Sequence, residues 1–306
     1  MMHEPKNLLT GLAFLQRTLP RGKGRLTRAI GAALSRPNQH YLTTLHGAKL
    51  VLSPTSYDVY ATMVQNENAW DYEDFRICID SFADGECFYE IGANVGYFAV
   101  EAAHLRRDSR VYAFEPQSAL THAIEQSAKL NNLSNLTAYE VLVGDEDALR
   151  TLYLAPSSIH SSAVPDSGRD SVSTQSKQMV TLDRLVARRE LRPPDFVKMD
   201  VEGSEALVFR GAAQTFRTHK PSIFLEYLPE YDIGHRVRKE VEDLVQSVDD
   251  YALFGVPNMH ARSQSLPLLV PIEQISWMQI HALYILNMSR GVASDLLTRP
   301  SAFEGG

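Results

Sequence analysis

The stretch at residues 88–96 constrains the fold of this chain more than any other. A short apolar strand carries Glu90 as its one acid, Gly92 and Gly96 frame a tight turn, and Tyr97 begins an apolar helical segment. A glycine turn between a strand and a helix leaves backbone N–H groups exposed at the helix N-terminus, where a ligand can approach closely. The stretch therefore predicts an α/β fold with a ligand at this turn.

The spacing of the glycines indicates which ligand the turn suits. A dinucleotide fingerprint reads G-x-G-x-x-G, whereas three residues separate Gly92 from Gly96 here, and Glu90 lies two residues before the first glycine. An acid beside the turn repels a pyrophosphate and attracts a cation such as the sulfonium of S-adenosylmethionine (SAM). The turn favours SAM over NAD, with Glu90, Gly92, Asn94 and Gly96 as candidate cofactor-binding residues. Asn94 is a residue type that tolerates left-handed backbone.

Strands and helices alternate along the chain from residue 86. Strands are expected at 87–91, 110–114 and 136–143, with helices over 96–105 and 118–131 between them. This βαβαβ order predicts a parallel sheet covered by helices on both faces.

The pattern is less regular after residue 143. A serine-rich polar stretch at 156–178 is expected to form a long loop, and loops of more than about 15 residues are usually functional or disordered. Further elements are expected as an extra strand at 149–154, strands at 196–199 and 222–225, helices near 205–211 and 235–248, and one or two closing strands within 277–286.

The N-terminal region is basic. Residues 1–40 carry seven Lys or Arg and one acid, which suits a peripheral helical cap, a contact with an anionic membrane surface or partner, or an export segment. Residues 8–19 are too short to span a bilayer. Two short strands are expected at 41–57 and helical spacing at 58–83. We divide the chain into an N-terminal cap with short strands (1–57), a main domain (58–290) and a C-terminal tail (291–306).

Composition excludes some classes of function. The formal net charge of −7 argues against nucleic acid as a partner. The only cysteines, Cys78 and Cys87, form no C-x-x-C pair and predict neither a disulfide framework nor a zinc site. A cytoplasmic location is the simplest expectation.

Three motifs occur in order along the chain: Tyr-Glu-Ile-Gly-Ala-Asn-Val-Gly-Tyr from residue 89, Phe-Glu-Pro from 114, and Val-Lys-Met-Asp-Val-Glu-Gly-Ser-Glu from 197. With Thr-Leu-Asp-Arg-Leu from 181, this set resembles the FkbM-type family of class I SAM-dependent methyltransferases over residues 50–285. The resemblance implies a Rossmann-like, doubly wound, seven-stranded and mostly parallel sheet, SAM as methyl donor, and methylation of a hydroxyl oxygen on a sugar, glycoconjugate or natural product. One departure is Glu90, where the family usually has Asp.

Two further acids are candidates for binding the adenosine part of the cofactor. Glu115 ends the second strand, where a carboxylate can accept hydrogen bonds from both ribose hydroxyls. Asp145 follows the third strand, where class I enzymes often bind the adenine amino group, although Gly144-Asp145 also suits an ordinary turn.

Three acids at the carboxyl ends of later strands are candidates for catalysis. Asp200 is the first choice for a base that removes the hydroxyl proton or orients the acceptor, and Glu202 and Glu226 are second choices. Such acids could also hold Mg²⁺, but SAM chemistry needs no metal and none is predicted. Glu205 is expected to begin its helix. The histidines His235 and His281 are expected to be ordinary core or surface residues, and His160 reaches the site only if the serine-rich segment forms a lid.

The expected function is SAM-dependent O-methylation of a small-molecule or glycosyl hydroxyl, with no transmembrane segment. The missing G-x-G-x-x-G disfavours the alternative of a nucleotide-cofactor oxidoreductase. A second alternative is a non-catalytic binding module on the same fold.

Overall fold

The computed structural model describes residues 2, 4–18, 26–27, 29–30, 33, 40–53, 56–66, 72–155, 161–163, 173–227, 229, 232–258 and 268–290. The expectations for His160 and the tail 291–306 lie outside these residues, as do five of the seven basic residues of the N-terminal segment. None of the helices within these ranges has the length and apolar character needed to cross a bilayer.

The strands of these residues are β1 (Tyr41–Thr43), β2 (Lys49–Val51), β3 (Cys87–Ile91), β4 (Arg110–Phe114), β5 (Leu136–Tyr139), β6 (Leu142–Val143), β7 (Leu149–Leu154), β8 (Ser173–Val180), β9 (Phe196–Met199), β10 (Ser222–Glu226), β11 (Tyr251–Pro257), β12 (Val270–Pro271) and β13 (Ile280–Asn287). The helices are α1 (Lys6–Thr18), α2 (Tyr57–Gln65), α3 (Tyr72–Asp80), α4 (Tyr97–Leu105), α5 (Ser118–Leu130), α6 (Leu182–Ala187), α7 (Glu205–Gly211), α8 (Ala213–His219) and α9 (Arg236–Gln246).

The main sheet has the order β12-β11-β13-β10-β9-β3-β4-β5. The five strands from β10 to β5 run parallel, and β13 is antiparallel to both of its neighbours. The seven longer strands are the predicted doubly wound, mostly parallel sheet, and the two-residue β12 adds an eighth strand at one edge. The expected fold class is confirmed.

The central strand β3 shows why this sheet must be covered on both faces. All five of its residues are buried. Phe88 belongs to one hydrophobic cluster, whereas Cys87, Tyr89 and Ile91 belong to a second cluster on the other face. Alternate residues of a strand point to opposite faces, so a strand that is buried throughout requires a covering layer on each side.

A second sheet, of order β6-β8-β7, extends from the carboxyl edge of the main sheet. It corrects two expectations. The stretch 136–143 is two strands in different sheets, and residues 173–178, expected to be loop, belong to β8. Strand β8 is mostly polar and exposed, so it lacks the apolar alternation that identifies a strand, and it forms by pairing with β7.

Other elements also differ from expectation. The helical segment expected at 58–83 is two helices, α2 and α3. Strand β11 was not expected, because it contains Gly255 and ends in Pro257, both of which usually indicate turns. Gly255 is required there since a Cβ at this position would lie 2.5 Å from the side chain of Ile280.

The N-terminal region packs directly against the main sheet and the helices that cover one of its faces. The predicted hairpin of β1 and β2 is confirmed, and Val51 of β2 donates its N–H to Ser127 of α5 at 2.8 Å. Leu9 and Leu12 of α1 are fully buried in the cluster that also contains Phe88. The boundary at residue 57 stays a prediction.

Candidate functional site

The predicted glycine turn is held against its neighbours by backbone contacts. The N–H groups of Gly92 and Ala93 both donate to the carbonyl of Phe114, at 2.9 and 3.0 Å. Gly92 has a φ of +80°, and a Cβ there would lie 1.8 Å from the Asp200 carbonyl oxygen. Glycine is therefore needed at this position because two segments of backbone meet there. Asn94 is left-handed, with a φ of +50°.

Glu115 connects this turn to the next helix. Its carboxylate accepts hydrogen bonds from the N–H of Asn94 at 2.8 Å and from the N–H of Gln117 at 2.9 Å, one on each oxygen. The side chain is buried, and burial raises the pKa of Glu115 to about 7 although both N–H bonds favour the ionised form. The side chain of Gln117 also hydrogen-bonds to this carboxylate, so Glu115 is fixed in place at the turn.

An open cavity lies between this turn and the sheet formed by β6, β7 and β8. Of the predicted site residues, Gly92, Asn94, Glu115, Asp200 and Glu202 line it. Glu90, Gly96, Asp145 and Glu226 do not. The remaining lining residues are Ile91, Phe114, Pro116, Gln117, Val141, Leu142, Val143, Leu152, Ser161, Ala163, Val201 and Ser204.

Glu90 lies beneath the turn and is 1% exposed. Its carboxylate accepts from the N–H of Ala99, in the first turn of α4, at 2.7 Å. Burial raises the pKa of Glu90 to about 8, against the opposing charge of Lys198 and the Ala99 hydrogen bond. In this position Glu90 caps α4, and a contact between Glu90 and the cofactor stays a prediction.

Gly96 and Asp145 lie away from the cavity wall for different reasons. A Cβ on Gly96 would be 2.6 Å from Ile124 of α5, so this glycine allows α4 and α5 to pack closely. The carboxylate of Asp145 accepts two hydrogen bonds at 3.0 Å from Arg210. This geometry fits the turn interpretation of Gly144-Asp145, and an adenine contact by Asp145 stays a prediction.

The buried cation Lys198 lies among the predicted catalytic acids. Its Nζ is 3.2 Å from an oxygen of Asp200 and 4.7 Å from the centre of the Phe98 ring. Burial alone would lower the pKa of Lys198, but the nearby charges of Asp200, Glu90 and Glu226 raise it above its usual value. Lys198 is therefore a fixed positive charge and not a base.

Asp200, Glu202 and Glu226 converge at the ends of β9 and β10. Each offers a carboxylate oxygen that lies within 4.8 Å of the others, which is close enough to share a cation. Glu202 has a left-handed backbone with a φ of +54°, a conformation that is uncommon for a side chain of this type and often occurs at functional sites. Lys198 provides one positive charge beside Asp200, and the expectation that no metal is bound here stays a prediction.

Glu205 begins α7 as predicted. Its carboxylate accepts from the N–H of Gly203 at 3.1 Å, and burial raises its pKa to about 7.

The structure pairs His281 with Asp74, a contact that no sequence pattern indicates. From the sequence alone, His281 is expected to be an ordinary core or surface histidine. Val256 pairs with Ala282 and Pro257 with Ile280, so His281 is the extra residue of a bulge in β13. Its Nε2 is 3.0 and 3.1 Å from the two carboxylate oxygens of Asp74, and its Nδ1 is 3.1 Å from the Pro257 carbonyl. Since both partners are acceptors, both contacts form together only when both ring nitrogens carry protons.

His281 also lies next to the three acids Asp200, Glu202 and Glu226. Its carbonyl accepts from the N–H of Tyr227, the residue after Glu226, at 2.8 Å. Asp74 and His281 are 207 positions apart in the sequence and share no spacing signal, so the fold alone reveals this pair.

The fold and the cavity define a Rossmann-like α/β protein with an open cavity at the carboxyl ends of its parallel strands. The family described as the methyltransferase FkbM domain matches residues 90–251, more than half of the chain. The chain therefore belongs to the FkbM methyltransferase family, as the sequence motifs predicted.

Individual relatives are more distant. Methyltransferase 1 of Beauveria bassiana (strain ARSEF 2860) is 24% identical over 154 residues, which make up 42% of this chain and 59% of that protein. The chain thus matches less than two thirds of this relative's length.

Among solved structures, the methyltransferase FkbM from Methylobacillus flagellatus KT is 15% identical with a TM-score of 0.47, covering 92% of this chain and 58% of that one. M. jannaschii TYW2 in complex with AdoMet is 13% identical with a TM-score of 0.39, covering 82% of this chain and 86% of that one. These values indicate distant similarity only.

Proposed function

We propose that this protein binds SAM in the cavity at the Gly92–Gly96 turn and transfers its methyl group to a hydroxyl oxygen of a sugar, glycoconjugate or natural product. The observation that carries the proposal is the placement of Glu115. Its carboxylate is buried in the cavity wall and is oriented by two backbone N–H groups, and in this position it can accept hydrogen bonds from the hydroxyls of a ribose.

The chemistry of the cavity wall supports an adenosine ligand. Val141, Leu142, Val143 and Leu152 give one part of the wall an apolar surface that suits a flat aromatic base. Glu115 lies at the polar part, where a ribose would be held. Family membership independently supports SAM as the cofactor.

The charge of the lining favours SAM over NAD. The described residues that line the cavity include three acids, Glu115, Asp200 and Glu202, and neither Lys nor Arg. A pyrophosphate would meet negative charge there without a cation to balance it, whereas a sulfonium and an ammonium are attracted.

Catalysis is proposed to rest on positioning and on one proton acceptor. SAM, when bound, supplies an electrophilic methyl group on a positively charged sulfur. Asp200 accepts the proton of the acceptor hydroxyl as that oxygen forms its bond to the methyl carbon and the sulfur–carbon bond breaks. The products are a methyl ether, S-adenosylhomocysteine (SAH) and one proton, which Asp200 releases to solvent.

Glu202 and Glu226 are proposed to orient the acceptor from the neighbouring strand ends. Lys198 keeps Asp200 ionised and directed, because its ammonium lies 3.2 Å from that carboxylate. The proposal also includes a small-molecule or glycosyl acceptor and a cytoplasmic location. It further includes a membrane contact through the basic N-terminal segment.

Calorimetric titration with SAM, SAH and NAD tests the cofactor assignment. We expect SAM and SAH to bind and NAD to show no heat. Glu115→Gln should weaken SAH binding about 10- to 100-fold, since two charge-assisted hydrogen bonds to the ribose are lost, whereas the exposed Glu125→Gln should leave it unchanged. NAD binding tighter than SAM, or no loss in Glu115→Gln, would overturn the assignment.

A further inference from the structure

The small sheet formed by β6, β7 and β8, which we name the insert sheet, supplies one wall of the cavity. Leu142 and Val143 of β6 and Leu152 of β7 line it. The segment 161–163 folds back onto β7, because Tyr153 and Ser162 exchange backbone hydrogen bonds of 2.8 and 3.0 Å. This contact brings Ser161 and Ala163 to the cavity wall as well.

The insert sheet has little apolar packing beyond the strand ends that join the main core. Val143 and Val180 belong to the large hydrophobic cluster of the main domain, whereas the rest of the sheet packs around three buried residues, Leu142, Leu152 and Met179, with a few partly buried neighbours. Most residues of β7 and β8 are exposed. An element with few buried apolar contacts opens at a low free-energy cost unless polar contacts fix it.

Such a polar contact is centred on Lys177 of β8, which is only 9% exposed. Its Nζ donates to Glu140 at 2.8 Å and to the hydroxyl of Ser118 at 2.9 Å, and the same hydroxyl donates to Glu140 at 2.6 Å. The hydrogen bonds from Lys177 and Ser118 lower the pKa of Glu140 below its usual value. We name these three residues the clamp.

The clamp is adjacent to the cavity on the side of the main domain. Ser118 follows Gln117, and Glu140 precedes Val141, and both of these neighbours line the cavity. Lys177 thus links the insert sheet to Ser118 and Glu140 of the main domain, which flank the proposed adenosine site.

We propose that Lys177 is a positioning residue for the cofactor, which closes the insert sheet over the bound adenosine and thereby sets the rate at which the cofactor leaves. This inference rests on the proposed function. Loss of the clamp allows β7 and β8 to move away from the cavity, so a bound ligand escapes faster. The association rate changes little, because diffusion into an open site does not need the clamp.

The probe is SAH, whose sulfur is uncharged, so that removing a lysine charge near the site does not itself change the attraction for the ligand. Binding to the immobilised full chain is followed by surface plasmon resonance for wild type, Lys177→Met and Lys177→Arg. Methionine keeps the apolar stem and removes the ammonium, whereas arginine keeps the charge and the donors.

The matched control is Arg184→Met. Arg184 makes a comparable ion pair with Asp147, at 2.6 Å, near the start of the same hairpin. Neither Arg184 nor Asp147 lines the cavity. A general loosening of the hairpin would therefore appear in this variant too.

We expect Lys177→Met to raise the dissociation rate of SAH about tenfold, with an association rate within twofold of wild type. Lys177→Arg should restore the wild-type rate to within about threefold, and Arg184→Met should match wild type. Amide hydrogen exchange of residues 173–180 should slow when SAH binds wild type and should be faster in Lys177→Met.

An unchanged dissociation rate in Lys177→Met, or an equal increase in Arg184→Met, would overturn the role of Lys177 while leaving the cofactor site intact. Failure of the wild-type chain to bind SAH would instead overturn the proposed function, and the inference with it. Melting temperatures of the four unliganded proteins show whether each variant is folded.

Discussion

At the scale of single residues, the chemistry of this site depends on a buried lysine among carboxylates. Lys198 contacts Asp200 directly and is close enough to Glu90 and Glu226 for their charges to act on it. A buried charge is stable only when it is paired, and removing one partner leaves the other uncompensated. The lysine and the acids therefore act as one unit, in which Asp200 is the member that faces the cavity.

Asp200→Asn should lower methyl transfer by about 100-fold or more, since general base catalysis typically contributes that much. SAH affinity should stay within a few-fold, because the proposed adenosine contacts are elsewhere. The measurement is transfer of labelled methyl from SAM to an acceptor found by screening hydroxyl compounds.

Asp250→Asn is a matched control for this variant, since Asp250 also accepts from a lysine, Lys220, at 2.7 Å. It precedes β11 at the edge of the sheet opposite the site, so methyl transfer should be retained. Unchanged transfer in Asp200→Asn would contradict its role as the base.

At the scale of elements, the glycine turn and β9 meet backbone to backbone, which makes Gly92 irreplaceable. Gly92→Ala should destabilise the fold and abolish SAH binding, because a Cβ would lie 1.8 Å from the Asp200 carbonyl oxygen. Gly85→Ala serves as control, since Gly85 has the same backbone type, with a φ of +81°, and no atom within 4 Å of an added Cβ. The control should cost only about 1–2 kcal/mol, which is the penalty of the left-handed conformation.

Urea unfolding and SAH titration of both glycine variants give the comparison. Equal destabilisation of the two variants would mean that conformation alone, and not the close approach of β9, requires glycine at position 92.

The His281–Asp74 pair joins α3 to the bulge of β13 beside Glu226. Because both ring nitrogens face acceptors, we expect ¹⁵N NMR at neutral pH to show His281 protonated on both nitrogens. Asp74→Asn should reduce that doubly protonated fraction at the same pH, since the carboxylate is gone. A neutral, single-tautomer signal for His281 in wild type would contradict this arrangement.

Elements carried by contiguous residues were predictable from the sequence, and elements made by distant pairing were not. The turn at Gly92, the acid Glu115 after β4 and the strand end at Asp200 follow from local patterns that fix backbone and edge position. The polar strand β8 depends on its pairing with β7, and the partners of Lys177 and His281 lie 37 to 207 residues away along the chain. For Glu90, the sequence indicated an acid at the turn, but only the fold shows that its side chain points beneath α4.

At the scale of the whole molecule, several buried carboxyls make stability depend on pH. Burial raises the pKa of Glu90 to about 8 and those of Glu115 and Glu205 to about 7, from an ordinary value of 4.5. Between these values the folded protein binds more protons than the unfolded chain, so stability falls as pH rises. The contribution is fully present below about pH 4.5 and is lost as the pH rises through 7 to 8.

Thermal melts between pH 5 and 9 measure how stability depends on the protonation of these carboxyls. This range avoids the acid unfolding that other groups cause at lower pH. We expect the loss of stability from pH 6 to 9 to be smaller in Glu90→Gln, whose side chain stays neutral throughout, than in wild type or in the exposed Glu125→Gln. Parallel curves for all three proteins would show that Glu90 is ionised in the folded state at neutral pH.

The central claim is that the cavity at the Gly92–Gly96 turn is a SAM site of an O-methyltransferase, and a crystal structure with SAH bound tests it most directly. We predict SAH in this cavity, with its ribose hydroxyls on Glu115, its adenine against Val141, Leu142 and Leu152, and its sulfur facing the space in front of Asp200. SAH bound elsewhere, or with its ribose away from Glu115, would contradict the account.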